Sequence, residues 1–104
     1  MRFEEHCQRC HALLGDRFDQ VHIWLDHFAY VPSTLTHEAY YDPMHRQYRH
    51  HVQGIIEIRQ KWGQPAATAA VVHILDDLFP GGWAEEDAIR IPWNQSEYLR
   101  MLGP

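Results

Sequence analysis

Between Asp42 and Pro65 the chain carries its longest stretch of helical periodicity, Met44–Trp62, and this stretch most constrains the fold. Asp42 is placed to cap it, Pro43 suits a first turn, and Gly63 with Pro65 stops it. At about 100° per residue, Met44, Tyr48, His51, Ile55, Ile58 and Trp62 fall on one stripe. A rod of this length with one apolar stripe needs other helices to cover it. The same spacing puts His51 in the middle of that face, His45 and Val52 on its shoulder, Arg49 just beyond, and His50 pointing away. An imidazole aimed at a core needs a partner for its nitrogens, either a hydrogen-bonding group or a metal ion.

The flanking segments read as further helices. Arg2–Leu14 places Phe3, Cys7, Cys10 and Leu14 on one side, with Gly15 as its stop. Arg17–Tyr30, opened by Asp16, buries Phe18, Val21, Leu25, Phe28 and Ala29. A fourth helix runs from Pro65 to Phe79, ahead of Pro80-Gly81-Gly82, with Val71, Ile74, Leu75 and Leu78 as its apolar face. Beside that face lies a stripe of Ala66, Ala70, His73 and Asp77 that admits a close neighbour. An acidic bend at Glu85, Glu86 and Asp87 leads to a short last helix near Asn94–Leu102, capped by Asn94. The segment Val31–Asp42 has no period and reads as a packed surface loop or, alternatively, a binding loop or lid with His37, Glu38, Tyr40 and Tyr41 available to it. The expectation is an all-α fold: one compact domain over residues 1–104, with four main helices, a short C-terminal helix and a covering tail from residue 80.

Composition narrows the function. A formal charge of −5, with Lys61 the only lysine, argues against a nucleic-acid partner, because phosphate backbones are held by clustered Lys and Arg. No run of about eighteen apolar residues and no basic-then-apolar start is present, so a soluble cytoplasmic protein with no membrane partner is expected. Cys7-Gln8-Arg9-Cys10-His11 has the C-x-x-C-H spelling of a haem-attachment motif and of half a zinc knuckle. With no second pair and no export signal, it reads as two small buried thiols in a reducing compartment, with His6 or Cys10 joining a metal site as the lesser alternative. Trp24, Trp83 and Trp93 exceed the needs of so small a core and suggest a homodimer surface.

Nine histidines in 104 residues is the compositional anomaly. Two predicted helices each carry H-x-x-x-D, as His22/Asp26 and His73/Asp77, which puts both donors on one helix face. Imidazoles and carboxylates projecting from facing helices build metal sites in bundle cores. The candidate ligands are His22, Asp26, His51, His73 and Asp77, and a nitrogen–oxygen donor set suits zinc, iron, manganese or nickel. Alternatively, each aspartate orients its own histidine. His45 is a candidate general acid or base, and Arg46 and Arg49 candidate clamps for a small anionic substrate such as a phosphoester. The expected function is therefore metal binding, with metal-dependent hydrolysis as one outcome. A non-catalytic module with a structural metal or a buried His/Asp network is the other.

These elements resemble a family of small uncharacterised bacterial and phage helical proteins that carry H-x-W-x-D, H-R-x-x-x-H-H and H-I-x-x-D in that order. Here they fall on His22, Trp24 and Asp26; on His45, Arg46, His50, His51 and Gly54; and on His73 with Asp77 or Asp76, across residues 13–78. The resemblance implies a shared polar cluster and no particular reaction. The order of the histidines is also similar to that of the HD-type metal-dependent phosphohydrolases, which are helical and hold metal with His and Asp. Val52 follows His51 where that family has an adjacent His-Asp dyad, so this likeness is one of chemistry.

Overall fold

The computed structural model describes residues 1–32 and 39–102, without the side chains of Val31, Pro32, Ala39 and Tyr40. The fold is all-α apart from one small hairpin. Helix α1 spans Phe3–Leu14, α2 Asp19–Leu25, α3 Arg46–Arg49, α4 Val52–Trp62, α5 Gln64–Leu78 and α6 Gln95–Leu102; 3₁₀ turns cover Pro43–His45 and Glu85–Arg90. Part of the expected loop is antiparallel hairpin: β1, Tyr30–Pro32, pairs with β2, Ala39–Tyr41, with Tyr30 opposite Tyr41. His37, Glu38 and the Tyr40 side chain, named above as loop donors, lie outside the described residues.

Helix α5 is the axis of the core. Ala66, Ala69 and Ala70 are buried at its start and Ile74 and Leu75 further on, and α1, α2 and α4 all pack against it. Small side chains let those backbones approach, and Ile58 of α4, Val21 and Leu25 of α2 and Cys10 of α1 fill the space between. Both thiols are fully buried, as expected for small hydrophobes, and burial pushes Cys7 up to about 11 and Cys10 to about 12.

Helix α2 is shorter than its periodicity predicts. Phe18 takes a left-handed backbone (φ 53°) and donates its N–H to Asp16 Oδ1 at 2.9 Å, so the helix starts two residues late. Arg17 braces that start, pairing with both oxygens of Glu4 at 2.7 and 2.8 Å and with Asp19 at 3.1 Å. The helix ends at Asp26, which leaves that carboxylate at its C-terminal edge.

The main correction concerns the central helix, which is not continuous. Asp42 caps as expected, its Oδ1 accepting from Met44 N–H at 2.9 Å, but it caps a 3₁₀ turn that runs into the single turn of α3. The chain then breaks at His50 and His51 before α4 begins. His51 is extended (φ −157°), and its Nδ1 accepts from Gly54 N–H at 3.1 Å as an N-cap. The Arg49 carbonyl lies over Gly54, where an added Cβ would sit 2.0 Å from its oxygen. The tail supplies the rest: Pro92 O and Trp93 O accept from Val52 and Gln53 N–H at 2.8 and 3.0 Å, satisfying orphan donors of the new helix start. As predicted, Asn94 caps α6, accepting from Glu97 N–H at 2.9 Å.

Candidate metal centre

The break at residues 50–51 exchanges the roles of two neighbours. His51 was expected in the metal-ligand set; both of its nitrogens are instead spent locally, Nδ1 on Gly54 N–H and Nε2–H on Tyr48 O at 2.9 Å. His50, which continuous periodicity points to solvent, is 1% exposed and turns into the core. There it meets Asp26 at the end of α2 and His73 and Asp77 of α5.

Four donors converge. His50 Nε2 is 3.1 Å from Asp77 Oδ2 and 3.3 Å from Asp26 Oδ1. His73 Nε2 is 3.2 Å from Asp26 Oδ1, 3.4 Å from Asp77 Oδ2 and 3.2 Å from His50 Nε2. A tetrahedron with arms of about 2.0–2.1 Å, the length of zinc–imidazole and zinc–carboxylate bonds, has edges of about 3.3 Å. These groups could coordinate a metal ion. Distances of this size also suit hydrogen bonds, so the protons decide between the two.

The protons can be counted from two backbone carbonyls, which only accept. Arg17 O lies 2.9 Å from His22 Nε2, so that nitrogen carries hydrogen and the neutral ring has a lone pair on Nδ1. His22 Nδ1 is 2.8 Å from His73 Nδ1, so His73 donates from Nδ1 and keeps a lone pair on Nε2. Burial, the main cause, lowers the pKa of both rings, His73 to about 3, which keeps them neutral. Asp42 O likewise takes the Nδ1–H of His45 at 2.6 Å, leaving Nε2 to face Asp26 Oδ1 at 3.2 Å. Burial opposes ionisation of Asp26 and Asp77, but the surrounding imidazoles outweigh it and hold both well below the usual carboxylate range. For Asp26 those are His45, His50 and His73; for Asp77, chiefly His50 and His6.

The result is two carboxylates crowded by imidazole nitrogens, with the His73 Nε2 lone pair aimed at both. His50 is the one ring there with a raised pKa: burial disfavours its charge, but the flanking aspartates overcome that. Its Nε2 carries at most one proton, too few for Asp26, Asp77 and the His73 lone pair together. Its Nδ1 has no hydrogen-bond partner among the described residues. Buried charge of this kind demands a counter-charge; Arg46 supplies part of it to Asp77 at 3.4 Å, and a divalent cation at the common point could supply the rest.

Of the sequence candidates, Asp26, His73 and Asp77 therefore meet. His22 stands behind His73 and fixes its tautomer. His45 contacts Asp26 from the side, and Arg46 Nη2 reaches Asp77 Oδ1 at 3.4 Å. Arg49 does not reach the centre: its guanidinium lies 4.0 Å over the Trp24 ring and donates to Trp24 O at 2.8 Å, tying α3 to the end of α2. Asp76, the alternative to Asp77, is held by Arg9 at 3.1 and 3.2 Å and by Trp83 Nε1–H at 2.8 Å, which clamps α1 and the tail onto α5. His50 was missed for want of the helix break. His6, the lesser metal-site alternative read from the sequence, is also buried and stacks on His73 with ring centroids 3.6 Å apart.

A cleft of about 1250 Å³ opens beside the centre, lined by Asp26, Asp77, His45 and Arg46 with Tyr30 and Tyr41 at its edge. No protein-family model, curated protein or solved structure matches the chain. No helix among the described residues is long and apolar enough to cross a membrane.

Proposed function

We propose that the chain binds a divalent transition-metal ion through Asp26 Oδ1, His50 Nε2, His73 Nε2 and Asp77 Oδ2, and uses it to hydrolyse a small anionic substrate, a phosphoester by preference. The observation that carries the reading is the proton count: half-buried Asp26 and deeper Asp77 both face the His73 Nε2 lone pair, whose tautomer Arg17 O sets through His22. A nitrogen–oxygen donor set favours zinc, iron, manganese or nickel. The ion supplies Lewis acidity and an acidified bound water. Arg46, with its Nε buried and unpartnered among the described residues, is placed in the cleft to hold an anion. His45, whose Nε2 contacts Asp26 Oδ1 at 3.2 Å where both line the cleft, handles the proton.

The deep burial of His73 (0% exposed) also favours a second reading, a structural metal in a non-catalytic module. The test is turnover of p-nitrophenyl phosphate and of its bis ester by chelator-treated protein, with and without added zinc or manganese. Metal-dependent hydrolysis that Arg46→Ala weakens at least tenfold in kcat/KM supports the hydrolase. A protein that takes up metal yet turns over neither ester leaves the structural reading in its place.

A further inference from the structure

His6 is 1% exposed, and neither of its ring nitrogens has a hydrogen-bond partner among the described residues. A buried imidazole in that position has lost hydration at both nitrogens, and only the Asp77 carboxylate stands opposite one of them. Its Nε2 lies 3.3 Å from Asp77 Oδ1, a carboxylate oxygen that is also buried without a hydrogen-bond partner among those residues. The other oxygen, Oδ2, faces His73 Nε2 at 3.4 Å. The Asp77 carboxylate thus lies across two stacked imidazoles, one oxygen to each.

The stacking decides what those nitrogens can do. The rings of His6 and His73 are 3.6 Å apart between centroids and inclined by only 16°. Lone pairs in nearly parallel rings point side by side and do not converge on one ion. His22 cannot complete a site with them, because its nitrogens are committed to Arg17 O and to His73. In the His6 tautomer that carries its proton on Nδ1, two side-by-side lone pairs, each opposed by one oxygen of the same carboxylate, suit two ions about 3.5–4 Å apart, the spacing of two-metal centres.

We propose that a second divalent cation binds between His6 Nε2 and Asp77 Oδ1, with Asp77 bridging it to the ion at Asp26, His50 and His73. This rests on the metal-centre reading above. Water or substrate from the cleft, which Asp77 lines, completes the coordination. The other groups near Asp77 Oδ1 are Arg46 Nη2 at 3.4 Å and the Met1 amine at 3.6 Å, both on partly exposed arms at the cleft edge. The arriving ion displaces the Arg46 guanidinium from the carboxylate, which frees it to meet a substrate anion.

The test is Mn²⁺ titration of the chelator-treated full chain, followed by calorimetry and by electron paramagnetic resonance at saturation. The expected result is two equivalents per chain and the spectrum of a spin-coupled pair. His6→Phe, which keeps the ring stack and removes the nitrogens, is expected to bind one equivalent with an uncoupled spectrum. Saturation of the unaltered chain at one uncoupled equivalent overturns the second site and leaves the first standing. Retention of two equivalents by His6→Phe also overturns it, and no uptake by the unaltered chain overturns both sites together. Should His6→Phe fail to fold, the spectrum of the unaltered chain decides.

Discussion

His50 and His51 are adjacent, chemically identical and put to different uses, so they separate the metal account from a general effect of removing a histidine. His50→Ala deletes a ligand nitrogen. It is expected to weaken zinc or manganese binding by more than the tenfold to hundredfold typical of losing a supporting partner, on the order of a hundredfold or beyond. His51→Ala removes the cap on Gly54 N–H; it should cost about 1 kcal/mol of stability in a urea titration and leave metal content intact. Equal metal loss in both variants would contradict the assignment. The thiols give an independent check on burial. With Cys7 raised to about 11 and Cys10 to about 12, almost no thiolate forms near pH 8. Alkylation of the native protein there should lag that of the urea-unfolded chain by orders of magnitude. Comparable rates would show that the α1–α5 seam is open. At this scale the candidate site was largely legible: both H-x-x-x-D pairs were visible as spacing, and three of their four members meet at the centre. That His22 would orient His73 was not visible, because the reason is the backbone carbonyl of Arg17, a residue whose guanidinium is anchored by Glu4 and Asp19.

Among the elements, the break between α3 and α4 is the feature on which function turns. Periodicity saw one rod over Met44–Trp62, because the residues on either side of the break are helix formers that keep phase with each other. What divides the rod is non-local. The tail carbonyls of Pro92 and Trp93 are drawn into the gap, and the Arg49 carbonyl needs the bare Cα of Gly54. Gly54→Ala forces a methyl group against a backbone oxygen that cannot move away. It should cost about 3 kcal/mol, read as a lower urea midpoint, and should release the metal with it because His50 loses its aim. A neutral Gly54→Ala would mean that the rod is continuous in solution. Where ends are set by local chemistry the sequence reading holds: α5 runs from Gln64 to Leu78 between Gly63 and the Pro-Gly-Gly turn, and α6 starts behind Asn94. The hairpin escaped notice because each strand is three residues long, too short for alternation to register.

For the molecule as a whole, the centre sits where α1, α2, α5 and the α3–α4 break meet, so charge left uncompensated there acts on the whole fold. A metal that binds the native state alone stabilises by about 2.7 kcal/mol at a hundred times its Kd, which for a chain of this size corresponds to a Tm rise of roughly 10–20 °C. Zinc or manganese should give such a rise, a chelator should reverse it, and Asp77→Asn should abolish it. A Tm indifferent to both metal and chelator would leave the cluster a hydrogen-bonded network. Of the tryptophans expected on a dimer surface, Trp24 lies beneath Arg49 and Trp83 is bonded to Asp76; only Trp93 is largely exposed, at 62%.

The claim beneath all of this is that two imidazoles and two carboxylates share one ion. X-ray absorption at the zinc edge, on untagged protein loaded with one equivalent of zinc, reads that donor set directly. The account predicts only nitrogen and oxygen scatterers at about 2.0–2.1 Å, with the outer-ring pattern of two imidazoles. A sulfur shell at about 2.3 Å, which would implicate Cys7 and Cys10, or no stoichiometric uptake at all, would contradict it.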